Sequence, residues 1–182
     1  MFKKFSAKES VAAYGVAKAS KQREVRAFLL KSGGIDNKAL DILLPPNKPI
    51  SVARCHEHVS LLTIDNKPRF FQVREGPFIP TLRILHRYPN ILPHVQVDRG
   101  AIKHILGGAD VMCRGLTTPG AELSEFNEGA YVAIHAEGKQ NALGVGISKM
   151  SSADIKKINS GVGIELLHYL GDALWKTDTL AT

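Results

Sequence analysis

The stretch from Val97 to Gly115, Val-Asp-Arg-Gly-Ala-Ile-Lys-His-Ile-Leu-Gly-Gly-Ala-Asp-Val-Met-Cys-Arg-Gly, constrains the fold more than any other part of the chain. Asp98 is predicted to cap a short helix, because its carboxylate accepts from first-turn amides that have no partner inside the helix. Ala101, Ile102, Ile105 and Leu106 follow at helical spacing and make an apolar face. Gly107 and Gly108 stop the helix. Ala109, Val111 and Cys113 then alternate with Asp110, Met112 and Arg114, the period of a strand, and Gly115 closes it with a turn. A capped helix, a glycine stop and a short strand form one compact unit.

What surrounds this unit is bounded by composition. With 182 residues, 44% of them apolar, the chain has room for one ordinary domain or two small ones and needs no metal or disulfide staple. Cys55 and Cys113 lie too far apart in sequence to suggest a disulfide framework, and no apolar run approaches a membrane span or a secretory signal. The expectation is a soluble protein of the cytoplasm. Net charge is +7, unevenly spread: residues 1–94 hold 16 Lys and Arg against 7 Asp and Glu, whereas residues 95–182 hold 8 against 10. The first half is therefore the expected partner of a polyanion, since phosphate contacts and released counterions drive such binding.

Met1 to Phe5 interleaves two lysines with two phenylalanines and reads as an extended edge segment. Val25, Phe28 and Leu29 mark the core face of a helix from Ser20 to Lys31, and Lys21, Arg23, Arg26 and Lys31 leave the rest of it basic. A second helix, capped by Asp36, carries Ala39, Leu40, Leu43 and Leu44 until Pro45-Pro46 ends it. Strands are predicted over 50–58, 59–64 and 69–74, the last two joined by a turn at Asp65-Asn66-Lys67-Pro68. If Phe71 and Val73 face the core, Phe70, Gln72 and Arg74 share an outer face suited to RNA. Packing of Phe70 under a loop is the competing reading. Cys55-His56-Glu57-His58 has zinc-ligand residue types, but strand alternation points its members to opposite sides, so neither metal nor cofactor is expected.

Thr81 is predicted to cap a helix with Leu82, Leu85 and Tyr88 on its apolar stripe and Arg83, His86 and Arg87 off it. Pro89 to His94 breaks that helix, which places the domain boundary between 94 and 95; the break lacks the Gly/Ser character of a tether, so the domains are expected to dock. Beyond it, Val132 and Ile134 belong to a strand, Gly138 to Asn141 form its turn, and Ala142, Gly144, Gly146 and Ser148 give the return strand a shallow face that another backbone can approach. Ser151 opens a helix with Ile155 and Ile158 on its apolar side. Val162, Ile164 and Leu166 form the final strand, His168 to Asp172 a turn with His168 as an edge histidine, and Ala173 to Trp175 the closure before a polar tail.

The unit at Val97–Gly115 resembles the opening of a PUA domain, a small β-barrel of RNA-modifying and ribosome-associated proteins, through Val97-Asp98, Gly100-Ala101, Gly108-Ala109, Met112 and Gly115. Arg54-Cys55-His56-Glu57-His58, Arg74-Glu75-Gly76-Pro77-Phe78, Leu92-Pro93-His94, Ala136-Glu137-Gly138-Lys139-Gln140 and His168-Tyr169-Leu170 extend the resemblance to the malignant T-cell-amplified sequence family. It runs from Met1 to about Trp175. The fold it implies is α+β, an amino-terminal domain with a small antiparallel sheet (1–94) docked on a carboxy-terminal PUA barrel (95–182).

The resemblance also implies a function. Family members act without catalysis on the small ribosomal subunit, with the density-regulated protein (DENR) as partner, in reinitiation, non-standard initiation and release of spent tRNA; the PUA domain approaches the tRNA acceptor end. On this reading Arg69, Arg74, Arg83, Arg87, Arg99, Lys139 and Lys149 are the candidate RNA contacts. Lys103 and His104 are the candidate partner contacts, His104 standing where the family commonly has an exposed aromatic. The chain is expected to be a monomer when free and a heterodimer with its partner. Two alternatives remain open: an RNA-modifying enzyme or its accessory subunit, for which a first domain of this size is small and no nucleophile-base set is visible, and a protein-interaction scaffold.

Overall fold

The computed structural model describes residues 1–180, which divide between two sheets. The first half runs α1 (Ala7–Ser10), β1 (Val11–Val16), α2 (Ala19–Lys31), α3 (Asn37–Leu43), β2 (Ile50–Cys55), β3 (Val59–Ile64), β4 (Lys67–Val73), β5 (Ile79–Pro80) and α4 (Leu82–Arg87). Its strands pair in the order β1-β2-β3-β4-β5, every pair antiparallel. Val25, Leu29, Leu40 and Leu43 bury the apolar stripes of α2 and α3 as their spacing predicts, and Asp36 caps α3 by accepting from Ala39 N at 2.7 Å.

Two local predictions fail here, and the alternatives for Phe70 are decided. Phe70 and Phe71 are both fully buried, so β4 is covered on both faces and Phe70 offers nothing to RNA. His56, Glu57 and His58 form a tight turn rather than strand, with positive φ at Glu57 and His58 and with Cys55 paired to Val59 across it. The backbone must reverse there because the alternation resumes at Val59. Met1 to Phe5 is not an edge strand: Phe2–Lys4 is a 3-10 turn that drives Phe2 into a buried site edge-on to Phe71 at 5.5 Å and to His168 at 5.9 Å.

The second half comprises β6 (His94–Val97), α5 (Ile102–Leu106), β7 (Val111–Met112), β8 (Glu122–Leu123), β9 (Tyr131–Ala136), β10 (Gly144–Ser148), α6 (Ser152–Ile158), β11 (Val162–Tyr169) and α7 (Ala173–Lys176). The strands pair in the order β7-β11-β10-β9-β6-β8, with β6 parallel to β9 and the other pairs antiparallel. They enclose a core of their own that includes Val95, Ile105, Val132, Ile134, Ile155 and Ile164. The whole is the α+β arrangement that the sequence implies, and β6 begins at His94, one residue before the expected boundary.

Asp98 accepts from Ala101 N as predicted, and Ile105 is buried. Leu106 and Ile158 are exposed instead, because helices of five and seven residues each turn only one narrow face to the core. Cys113 and Arg114 lie in a 3-10 turn, since pairing of β7 with β11 ends at Met112. The shallow face of β10 is used as expected: Gly146 lets Glu165 O and Ile164 of β11 approach closer than any side chain would permit. β11 extends through Tyr169, so His168 is a buried strand residue whose Nδ1 lies 2.7 Å from Asp172 Oδ2, not an edge histidine. Ala173 to Trp175 form a helical turn capped by Asp172 rather than a closing strand. The tail after it docks back, with Leu180 buried and its N–H donating to Asn66 O at 2.8 Å.

Candidate nucleic-acid interface

The joint between the domains sets the geometry of every candidate contact. A single apolar cluster runs from Leu61, Phe71 and Ile79 to Ala133, Val145, Leu167 and Leu174, which welds the basic first sheet to the second. α4 adds a polar grip. The Arg83 guanidinium lies 4.8 Å from the Trp175 ring and donates to Trp175 O at 2.8 Å, while His86 meets the same ring at 5.3 Å and its Nε2 lies 2.9 Å from Ala142 O.

The four first-domain arginines do not form one patch. Arg69 is half-buried near the start of β4, its backbone O accepting from Thr81 N and its Nε buried without a partner. Arg74 lies beyond the other end of that strand, about 17 Å away at strand rise, exposed and in the left-handed region. Arg83 and Arg87 share the exposed side of α4, Arg83 held on Trp175 and Arg87 over Tyr88 at 5.8 Å. Thr81 does not cap α4 with its side chain; its Oγ1 is buried and unpartnered.

In the second domain Arg99 lies beside the turn that carries Lys139. The Arg99 guanidinium lies against Gly138, the residue before Lys139, and Lys139 itself is exposed in the β9–β10 turn. Lys149 stands elsewhere, paired with Glu165 at 3.3 Å. Lys103 and His104 are exposed on α5. His104 borders a mainly apolar groove of about 570 Å³ whose lining includes Ala101, Ile105, Val111 and Met112. Asp98 stands at its rim, its pKa lowered chiefly by the hydrogen bond from Thr118.

Cys55 is no reactive thiol, for burial pushes its pKa up to about 11. Among the described residues no three His, Cys, Asp or Glu side chains gather closely enough to hold a metal ion, and no helix is long and apolar enough to cross a membrane.

The chain matches two family models, a pre-PUA-like domain over residues 5–89 and a PUA domain over residues 93–170. It is 50% identical over 179 residues to Malignant T-cell-amplified sequence 1 of Danio rerio, covering 98% of this chain and 99% of that protein. The chain belongs to the malignant T-cell-amplified sequence family. Malignant T-cell-amplified sequence 2 of Homo sapiens is 49% identical over the same shares of both chains, and the Dictyostelium discoideum homolog of sequence 1 is 46% identical across 99% of this chain and 100% of its own. A hypothetical protein of Pyrococcus horikoshii OT3 shares the fold at a TM-score of 0.71 and 25% identity, over 90% of this chain and 98% of its own. A conserved PUA domain protein of Thermoplasma acidophilum does so at 0.62 and 22%, with the same coverage. The PUA family model and the named relatives support an RNA-binding PUA protein.

Sequence reasoning missed three groups of residues. Asp172, the partner of His168, was read as a turn residue. The clasp of Arg83 and His86 on Trp175 joins segments some 90 residues apart, with no local signal. His94, Gln96, Glu122 and His135 are brought to one face by strand pairing alone.

Proposed function

We propose that the protein is a non-enzymatic translation factor of the cytoplasm that binds small-subunit ribosomal RNA and works with a density-regulated-protein-like partner in reinitiation, non-standard initiation and release of tRNA after termination. The observation that carries this reading is the distribution of charge on a welded two-domain frame. The first half holds a net +9, and its ion pairs among the described residues, Lys21–Glu24, Arg26–Asp41 and Lys48–Asp65, leave Arg69, Arg74, Arg83 and Arg87 without acidic partners. Those side chains are available to phosphates, with Arg83 already preorganised on Trp175. The near-neutral PUA half offers a few placed cations, Arg99 and Lys139, suited to a tRNA end, and Lys149 as a weaker outer contact. The apolar groove beside His104, lined in part by the exposed Met112, supports the partner contact, with Lys103 the preceding exposed cation on α5.

A salt titration tests the reading. Affinity for small-subunit RNA is expected to fall steeply with salt, each neutralised phosphate adding about 0.7 to 0.9 to the log-log slope. Arg69→Ala, Arg74→Ala, Arg83→Ala and Arg87→Ala together flatten that slope, whereas Lys139→Ala mainly weakens binding of a tRNA acceptor stem. A wild-type slope in the fourfold variant, with Lys139→Ala abolishing ribosomal RNA binding, would move the main RNA surface to the PUA half.

A further inference from the structure

Three strands of the second sheet carry a rank of polar side chains beside Lys139, one of the cations assigned above to RNA. Gln96 of β6 stands opposite both Glu122 of β8 and His135 of β9. Residues directly opposite in a sheet share a face, so carboxylate, amide and imidazole stand in one row. His94, two residues before Gln96, shares that face, its ring 4.6 Å from that of His135 at 36° between planes. The alternate residues Val95, Val97, Ile134 and Ala136 are fully buried on the core side. The row borders a concavity of about 240 Å³ whose wall also includes Ser124 and Lys139.

The polar atoms here are unevenly committed. Gln96 Nε2 donates to Gly120 O at 2.8 Å, which leaves its Oε1 as the open atom of that amide. Glu122 is exposed and enters no ion pair among the described residues. His135 Nε2 is buried with no hydrogen-bond partner among the described residues. Burial, then the neighbouring His94 and His86, lower the His135 pKa to about 4. Its ring is therefore a flat, uncharged surface at neutral pH. Cationic groups come only at the edge, where Lys139 follows Gly138 and Arg99 lies against that glycine.

We propose that this concavity receives one unpaired RNA nucleobase bearing an exocyclic amino group, the ring lying against His94 and His135, the amino group donating to Glu122 and Gln96 Oε1, and the adjoining phosphate held by Lys139 and Arg99. The inference rests on the RNA-binding reading above and names the ligand chemistry of one part of it. Aromatic and imidazole rings are what splayed single-stranded bases stack on, and an acceptor pair discriminates at the base edge. Adenine, cytosine and guanine present an amino group whose two hydrogens can meet both acceptors; uracil has a single donor, its N3–H, flanked by two carbonyl oxygens that a carboxylate repels.

The test is fluorescence anisotropy of the full chain with short single-stranded oligomers of A, C, G and U at one salt concentration. Uridine oligomers are expected to bind about tenfold more weakly than the best of the others, the scale of one good base-edge pair. Glu122→Gln removes the carboxylate without touching the core, so it erases most of that ratio while thermal stability stays unchanged. The ratio is the readout, because the lost negative charge raises affinity for every oligomer alike. Equal binding of the four oligomers, or a preference that survives in Glu122→Gln, overturns the proposal. If small-subunit RNA still binds with a steep salt dependence in that case, the base pocket alone falls; if no RNA binds at low salt, the RNA-binding reading falls with it.

Discussion

His135 illustrates how far a residue's behaviour departs from its composition. Its pKa is lowered from 6.5 to about 4, by burial first and by His94 and His86 second. Between those values the unfolded chain holds the proton and the folded chain does not, so stability falls as pH drops from about 6.5 toward 4. His135→Phe keeps an apolar ring and removes the titration. Its melting temperature is expected to decline less than the parent's across that window, and an identical decline would assign the acid sensitivity to another group. Asp98 does not confuse the comparison, because its lowered pKa takes effect below the ordinary 3.8. Local devices at this scale were legible in the sequence. Asp36, Asp98 and Ser151 each accept from the backbone three residues on, as their spacing predicts, since a cap depends only on the turn that follows it. The unpaired Nε2 of His135 was not legible, for it arises from strands that pack around the ring.

At the scale of elements, most long segments are legible and short ones are not, β1 being the long exception because Ala12, Ala13 and Gly15 blur its alternation. β3, β10 and β11 fall where alternation places them, whereas the two- and three-residue pieces around Phe2, His56 and Cys113 do not. A short run satisfies several periods at once, so its neighbours decide. The glycines of β10 show sequence and packing in agreement. A Cβ on Gly146 would lie 2.4 Å from Ile164 Cγ2 and 2.7 Å from Glu165 O, at the bulge where β10 meets β11. Gly146→Ala is therefore expected to cost about 1 to 3 kcal/mol in chemical denaturation, because the sheet must part to admit the methyl group. Gly15→Ala, in a strand where nothing lies within 4 Å of the added carbon, is expected to stay within about 0.5 kcal/mol of the parent. Equal effects at the two sites would show that β10 and β11 adjust freely.

For the molecule as a whole, the two domains share a core and a clasp. Phe2 packs from the amino terminus edge-on against both Phe71 and His168, which also touch each other, while Trp175 is gripped by Arg83 and His86. Trp175→Ala removes the ring at the centre of that clasp. It is expected to lower stability by about 1 to 3 kcal/mol, in the range of a large but partly exposed side chain, and to broaden or split a single calorimetric transition as the domains uncouple. A sharp transition at the parent temperature would leave the apolar cluster as the sole joint. Periodicity, caps, charge and motif order are properties of neighbours along the chain, and they made legible the main helices, strands β2 to β4 and β9 to β11, the basic character of the first half and membership of the family, but not β1, β5 or β8. Packing settles which charges share a surface: Arg69 and Arg74 stand a strand apart, Arg99 lies against Gly138 next to Lys139 in the chain, and Gln96, Glu122, His94 and His135 face one concavity. Those relations come from the pairing of strands distant in sequence, above all parallel β6 and β9, and no local pattern encodes a register.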